Sequence, residues 1–222
     1  RKRILMEVVV FDIGGVLVPE GNRMESLQDF LASRIGEFNR DEFKRAYWAL
    51  RDDYDLGASD ARFWAPVFEA AGVTADEAVI ELAAGKDASL NSQIAREPLQ
   101  LIEDLAAAGV PLGILSNAPR RMAKQVRQSE WASSFSHLLF SSDHGIKKPD
   151  ASIYSRLQSQ FSGVESPIFH FFDDREINIS GANNVGWIGH LWVSAEHARE
   201  ELQVLKVQLD QWVLWVQSVH KV

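Results

Sequence analysis

Several polar side chains that could bind a metal ion or react with a substrate stand at the ends of short apolar runs. The first, Asp12, ends the run VVVF. The others, in chain order, are Ser116 and Asn117 after GIL, Lys148 before Pro149, and Asp173 and Asp174 after IFHFF. Together these residues supply three carboxylates, a hydroxyl, an amide and an ammonium group.

This set of groups suits one kind of chemistry. Carboxylates that face one another repel unless a cation lies between them, and oxygen ligands without His or Cys favour Mg²⁺. The Lys148 ammonium and the Ser116 hydroxyl suit the oxygens of a phosphate, and phosphoryl transfer depends mostly on positioning and charge neutralisation. Asp12 could itself attack phosphorus. Gly14 and Gly15 after it allow a tight turn and a close backbone approach to that phosphate.

The sequence pattern around these residues predicts strands that alternate with helices, and these elements must position them. Apolar runs predict five strands: Met6–Phe11, Val110–Leu115, His137–Phe140, Ile168–Phe172 and Trp187–Val193. Helical periodicity predicts helices at Glu97–Ala108, after Asp150 and at Glu176–Val185. The order predicts an α/β fold, a Rossmann-like parallel sheet flanked by helices, with its site beyond the carboxyl ends of the strands.

One region shows only helical signals and is expected to be an all-helical insert. It spans residues 20–95 between the first and second strands, with capping boxes at Asn39–Glu42 and Thr74–Glu77 and a return linker at 83–92. Its aromatic residues are expected to form mostly its own core: Phe43, Tyr47, Trp48, Phe63, Trp64 and Phe68. Four nearby acids, Asp52, Asp53, Asp55 and Asp60, are expected to form a solvated face. The α/β core then comprises residues 1–19 and 96–194.

Residues 195–222 are expected to form a C-terminal helix. Apolar residues at alternating three- and four-residue steps make a coiled-coil-like seam: Leu202, Leu205, Leu209, Trp212, Val216 and Val219. The seam covers about two and a half heptads, so two interpretations stay open. The helix packs on its own core, or it joins two copies of the chain in a homodimer.

The ordered motifs make the chain similar to the haloacid dehalogenase superfamily, in its phosphatase-like branch with a small helical cap. FDIGGVL resembles the first motif, GILSNA the second, GIKKPD the third and FFDDREINISGANNVG the fourth. The resemblance implies that Asp12 is the nucleophile and a Mg²⁺ ligand, with Ser116 on the phosphate and Lys148 as the motif lysine. It further implies that Gly15 contacts the phosphate and that Asn117 contacts the phosphate or orients the nucleophile. The Gly14 carbonyl, Asp174 and Asp173 would bind the metal, and Asn178 would support the loop of the two aspartates.

One position departs from the motif of that superfamily. Its phosphatases mostly carry a second Asp two residues after the nucleophile, as general acid and base, and here that position is Gly14. Glu20 and His144 are candidate substitutes. A general acid contributes about 10²–10⁴-fold, so its loss favours substrates with good leaving groups, such as sugar 1-phosphates or acyl phosphates.

Composition narrows the classes of function. The chain has 222 residues, a net charge of −8 and no cysteine, which argues against nucleic-acid binding and excludes disulfides and thiolate metal sites. No apolar run is long enough to span a membrane, and a cytoplasmic location is expected. The sequence therefore favours a Mg²⁺-dependent phosphatase for a small phosphorylated metabolite. Two alternatives stay open: a metal-independent haloacid dehalogenase, and a non-catalytic regulatory protein weakened at Gly14.

Overall fold

A computed structural model describes residues 6–203 of the chain. The strands are β1 Met6–Phe11, β2 Leu112–Ser116, β3 His137–Phe140, β4 Pro167–Asp173 and β5 Ile188–Leu191. The helices are α1 Arg23–Ile35, α2 Arg40–Asp55, α3 Asp60–Ala70, α4 Glu77–Leu90, α5 Arg96–Ala107, α6 Arg120–Arg127, α7 Ser141–His144, α8 Ala151–Gln160 and α9 Glu176–Asn184, with a 3₁₀ helix at Glu130–Ser134. Residues 195–203 are also helical.

The five strands form one parallel sheet in the order β3-β2-β1-β4-β5. This confirms the predicted α/β class and its parallel sheet. The predicted second strand is displaced toward its C-terminus, because the Val110 amide still bonds to the Leu105 carbonyl at the end of α5. The predicted fifth strand is too long, because only residues 188–191 pair with β4.

Two apolar clusters cover the two faces of the sheet. Val9 and Phe11 of β1 pack into the cluster with α5 and α6, whereas Val8 and Val10 pack into the cluster with α8. This alternation follows from the two-residue period of a strand. Both faces of β1 are therefore buried, which explains its uninterrupted apolar sequence.

Helices α1–α4, residues 23–90, form a unit with a hydrophobic cluster of their own, called here the helical insert. The Asn39 side chain caps α2 as predicted, but α4 is capped by Asp76 rather than by Thr74. The predicted return linker at 83–92 is wrong, since α4 continues to Leu90. Its small residues resemble a linker in sequence, yet they bury a tightly packed helix face.

The acidic stretch of the insert is not one solvated face. Asp52 and Asp53 are exposed, but Asp55 binds Arg51 and Asp60 binds Arg121. Even the exposed pair has cationic partners, Lys147 for Asp52 and Arg62 for Asp53, so all four aspartates serve in ion pairs.

A chain of polar groups joins β4, β5 and residue 201. His170 Nδ1 lies 3.0 Å from His190 Nε2, and His190 Nδ1 lies 2.6 Å from Glu201 Oε2. Burial, and then the nearby His190, lower the pKa of His170 to about 4. The first helical turns after residue 195 are thus attached to the sheet edge.

The end of the chain can be compared with its predicted helix only in part. Leu202 packs against the cluster on the α5 side of the sheet. The remaining seam positions, from Leu205 onward, lie outside the described residues, so the homodimer stays a prediction. Within the described residues, no helix is long and apolar enough to cross a membrane.

Candidate active site

The carboxyl ends of β1, β2 and β4 open into one cleft of about 300 Å³ between the sheet and the helical insert. Every predicted site residue except Gly15 and the buried Asp173 lines it. Those from the sheet side are Asp12, Gly14, Ser116, Asn117, Lys148, Asp174 and Asn178. Residues that are far apart in sequence therefore meet because parallel strands end at one edge.

Lys148 lies at the centre of the site and is 2% exposed. Its Nζ is 3.0 Å from Asp12 Oδ1 and 2.6 Å from Asp173 Oδ2. Burial alone would lower the pKa of Lys148, but the two carboxylates together outweigh burial and raise it. The lysine is therefore held as a cation that bridges the ends of β1 and β4.

Asp12 is buried where the chain leaves β1. Its Oδ1 accepts a hydrogen bond of 2.7 Å from the Ile13 amide, and the Ser116 hydroxyl also bonds to it. Burial raises the pKa of Asp12 to about 7; Lys148 opposes this rise and Asp173 adds to it. Burial therefore outweighs the stabilisation that Lys148 gives to the ionised form of Asp12.

Asp173 is fully buried and is the best supported carboxylate of the site. One of its oxygens accepts a bond from the Arg175 amide at 2.9 Å, and both accept bonds from Asn178 Nδ2 at 3.0 and 3.1 Å. Asn178 is fixed in turn by the Tyr154 hydroxyl, which donates to its carbonyl at 2.8 Å. The Asn178 side chain therefore supports Asp173 directly, and its own Oδ1 is buried without a hydrogen-bond partner.

Asp174 is the exposed acid of the pair and lies against Gly15. Gly15 has a φ of +75°, which glycine adopts without strain. A Cβ at that position would lie 2.7 Å from Asp174 Cγ and closer still to its Oδ2. Glycine is thus required here for two reasons, the backbone turn and the space for Asp174.

The three acids form a group suited to a divalent cation. Asp12, Asp173 and Asp174 each offer a carboxylate oxygen, and these oxygens lie within 4.8 Å of one another. The nearby Gly14 carbonyl accepts no hydrogen bond from the described residues. With the orphaned Asn178 oxygen, the donors are all oxygen and their negative charge exceeds what Lys148 supplies. This donor set fits Mg²⁺.

The Asn117 side chain lines the cleft and is held by the backbone of Lys148. Its Oδ1 accepts from the Lys148 amide at 2.8 Å, and its Nδ2 donates to the Lys148 carbonyl at 3.1 Å. Both ends of the amide are engaged by the backbone just before the cis peptide bond Lys148–Pro149. The side chain therefore positions the lysine segment.

The helical insert adds residues that the sequence did not reveal as site residues. Arg23, Arg51 and Asn91 line the cleft, and so does Trp48. Trp48 is 57% exposed and is not part of the insert core, which corrects its predicted place there. The sequence contains a signal for this exposed position, because Trp48 follows Tyr47 directly and therefore lies off the apolar face of α2.

Glu20 and His144, the two candidate substitutes for the missing acid, lie in different places in the structure. Glu20 lines the cleft, whereas His144 is exposed on α7 and is not among the lining residues. The structure therefore brings only Glu20 to the site.

Comparisons with known proteins agree with this architecture. A family model described as haloacid dehalogenase-like hydrolase matches residues 6–186. No curated protein matches the chain.

Three solved structures illustrate the similarity of fold. A haloacid dehalogenase-superfamily (HAD) enzyme from Bacteroides thetaiotaomicron, in complex with magnesium and inorganic phosphate, is 19% identical, with 85% of this chain and 95% of that chain covered and a TM-score of 0.60. L-2-haloacid dehalogenase from Xanthobacter autotrophicus, with chloropropionic acid covalently bound, is 19% identical over 90% and 83%, with a TM-score of 0.63. A putative HAD-hydrolase from Bacillus subtilis, bound to magnesium, is 18% identical over 83% and 87%, also at 0.63.

Proposed function

The chain belongs to the haloacid dehalogenase-like hydrolases, and from this premise we propose that it is a Mg²⁺-dependent phosphatase. Asp12 is the nucleophile, and the substrate is a small phosphorylated metabolite. The observation that carries the proposal is the group of three carboxylates with oxygens within 4.8 Å of one another, of which two, Asp12 and Asp173, pair with the buried Lys148.

This charge balance favours a phosphatase over the other hydrolase of the same family. A dehalogenase attacks carbon with its aspartate and needs no metal, so it gains nothing from the further acids Asp173 and Asp174. A site for a divalent cation and a phosphate needs both the surplus negative charge and the fixed lysine.

Each residue has a role in the proposed reaction. Asp12, Asp174 and the Gly14 carbonyl would hold Mg²⁺, with Asp173 beside them, and Asn178 would hold Asp173 in place. When bound, Mg²⁺ would neutralise charge on the phosphate oxygens.

The remaining groups act on the phosphate and the nucleophile. Lys148 and the Ser116 hydroxyl would stabilise the phosphate oxygens, and Asn117 would keep the lysine segment in place. The Gly15 turn would allow the backbone to approach the phosphate. Asp12 would form a bond to phosphorus as the bond to the leaving-group oxygen breaks, and water would then hydrolyse the aspartyl-phosphate.

The helical insert would act as the cap that selects the leaving group. A cavity of about 480 Å³ inside the insert adjoins the cleft, and four residues line both: Glu20, Arg23, Trp48 and Asn91. An exposed indole beside hydrogen-bonding side chains suits a ring with hydroxyl groups. We therefore propose sugar phosphates, with anomeric phosphates first among them, as the substrate class.

A phosphate-release screen over a panel of phosphometabolites tests the proposal. We expect turnover that requires Mg²⁺, stops with EDTA and is abolished by Asp12→Asn, a variant that keeps the size of the side chain. The same variant controls for a contaminating phosphatase.

Two other results would contradict the proposal. Chloride release from 2-chloropropionate in the presence of EDTA would identify a dehalogenase. Binding of phosphometabolites with no turnover of any of them would identify a non-catalytic protein.

A further inference from the structure

We propose that Glu20 is the general acid and base of the reaction, in the role left open by Gly14. This assignment rests on the proposed phosphatase function. Position 14 carries no side chain, so the proton for the leaving-group oxygen must come from another group. Five carboxylic acids line the cleft in the described part of the chain: Asp12, Glu20, Asp52, Asp55 and Asp174.

Four of these five acids have other roles or partners. Asp12 and Asp174 belong to the proposed metal group. Asp52 Oδ1 lies 2.7 Å from Lys147 Nζ, and Asp55 Oδ1 accepts from Arg51 Nε at 2.7 Å. These two side chains are therefore engaged by cationic partners and are not free to turn toward a leaving group.

Glu20 is the remaining acid, and its carboxylate is available. Within residues 6–203 this carboxylate forms no hydrogen bond and no ion pair within 4 Å. Its backbone is held nonetheless, because the Glu20 carbonyl accepts bonds from Arg23 Nε at 3.1 Å and from the Arg23 amide at 3.3 Å. The main chain is therefore fixed while the side chain can reach toward a substrate.

The position of Glu20 matches the path of a leaving group. Glu20 is exposed and lines both the cleft that contains Asp12 and the cavity of the insert. A phosphate held at Asp12 with its organic part in that cavity must place the bridging oxygen between the two spaces. Glu20 stands at this junction, where a general acid has to be.

The proton balance of the two steps is simple. As the Asp12 oxygen bonds to phosphorus and the bond to the leaving oxygen breaks, the protonated Glu20 gives its proton to that oxygen and an alcohol departs. In the second step the Glu20 carboxylate takes a proton from the attacking water, the bond between Asp12 and phosphorus breaks, and inorganic phosphate leaves. Glu20 is then protonated again.

Position 14 itself offers a way to verify the role. A Cβ on Gly14 would meet no atom within 4 Å, and Gly14 does not have a positive φ. An aspartate therefore fits there without backbone strain. It could supply the proton from the position that the superfamily commonly uses.

The experiment compares two substrates in the Glu20→Gln variant. The first is 4-nitrophenyl phosphate, whose phenolate leaves without a proton, and the second is the best primary alkyl phosphate of the screen. We expect kcat/KM for the alkyl phosphate to fall about 100-fold or more, while kcat/KM for the aryl phosphate stays within about threefold, because that ratio reports only the first step. The kcat for the aryl phosphate should fall, with a burst of about one equivalent of nitrophenol per site.

Two further variants complete the test. Gly14→Asp in the Glu20→Gln background should recover at least about tenfold of the lost alkyl activity. Glu69→Gln is the matched control, since Glu69 is exposed on α3 and lines neither the cleft nor the insert cavity, and it should show no dependence on the leaving group.

Different failures point to different conclusions. An active wild-type enzyme in which Glu20→Gln lowers kcat/KM equally for both substrates, or for neither, overturns the role of Glu20 and leaves the proposed function intact. A wild-type chain that hydrolyses neither substrate overturns the proposed function and this assignment with it.

Discussion

Lys148 shares one positive charge between Asp12 and Asp173, and Asp174 lies beside them. At the scale of single residues, this shortage of positive charge is the main property of the site. Burial disfavours the ionised form of Asp12 more than Lys148 favours it, and the pKa of Asp12 rises from 3.8 to about 7.

The raised pKa of Asp12 predicts how stability depends on pH in the metal-free protein. Between about pH 4 and 7 the folded chain binds a proton that the unfolded chain does not. The resulting stabilisation is complete below the unfolded pKa of 3.8 and is lost as the pH rises through about 7. Asp12→Asn abolishes this titration, so in EDTA its Tm relative to wild type should rise by about 5 °C from pH 5 to pH 8.

Thermal denaturation in EDTA at several pH values measures this difference. Added Mg²⁺ should reduce it at pH 8 by stabilising the wild type, if Asp12 is a ligand as proposed. A Tm difference that does not change with pH would contradict the prediction.

The sequence predicted the site residues on the sheet far better than those on the insert. Asp12, Ser116 and the Asp173–Asp174 pair follow apolar runs, and strand ends converge by a general rule of parallel sheets. No such rule applies to Trp48, because its contribution to the cleft depends on how α2 is placed over the sheet. The engagement of Asn117 with the Lys148 backbone was likewise hidden, since it joins segments 31 residues apart.

At the scale of elements, the turn after β1 controls the geometry of the acids. The Gly15 amide donates to the Val18 carbonyl at 2.9 Å, and three further amides, from Val16 to Val18, bond back to Ile13. This compact turn brings Gly15 against Asp174 at the end of β4.

Gly15→Ala tests the importance of this turn. The added methyl group would displace the Asp174 carboxylate, so we expect Mg²⁺ to bind at least about tenfold more weakly, a loss of about 1.4 kcal/mol. Calorimetric titration of Mg²⁺ into the metal-free protein measures the change. Gly21→Ala is the control, since Gly21 also has a positive φ of +46° but open space around its Cβ. Equal weakening in both variants would mean that backbone strain, not Asp174, is responsible.

Element types were easier to predict than element ends. The strands follow from uninterrupted apolar runs that only a sheet covered on both faces explains. The sequence predicts a linker in the second half of α4, because Gly85, Asp87 and Ser89 disfavour the interior of a helix. Tertiary packing, with Ala83, Ala84 and Ala88 buried, makes that segment helical.

At the scale of the whole molecule, ion pairs connect the insert to the sheet domain. Arg121 on α6 bonds to Asp60 Oδ2 at 2.8 Å and to Glu81 Oε1 at 2.7 Å, on two different helices of the insert. Lys147 pairs with Asp52 in the same way across the cleft. These contacts are partly exposed and therefore sensitive to salt.

Arg121→Gln should weaken the docking of the insert with little effect on folding. Exposed pairs contribute at most about 1 kcal/mol, so the free energy of unfolding should change by no more than this. We expect kcat/KM to fall about three- to tenfold, since each 1.4 kcal/mol of docking corresponds to a factor of ten. Steady-state kinetics at 50 and 500 mM NaCl should show a salt dependence in the wild type that the variant has largely lost.

Arg127→Gln serves as the matched variant. Arg127 lies on the same helix but pairs with Asp143 within the sheet domain, so its removal should leave kcat/KM and its salt dependence unchanged. A similar loss of activity in both variants would show that charge on α6, and not docking of the insert, is the cause.

The two connections of the insert lie side by side. The Ala95 amide donates to the Leu17 carbonyl at 2.9 Å, and Arg23 bonds to Asn91 at the first and last turns of the unit. Because the chain leaves the sheet and returns to it at neighbouring points, the helices form an exchangeable module, of the kind that tolerates replacement or duplication. A different set of helices could be grafted between residues 21 and 95, giving the same reacting groups, Glu20 included, a new choice of molecule to act upon.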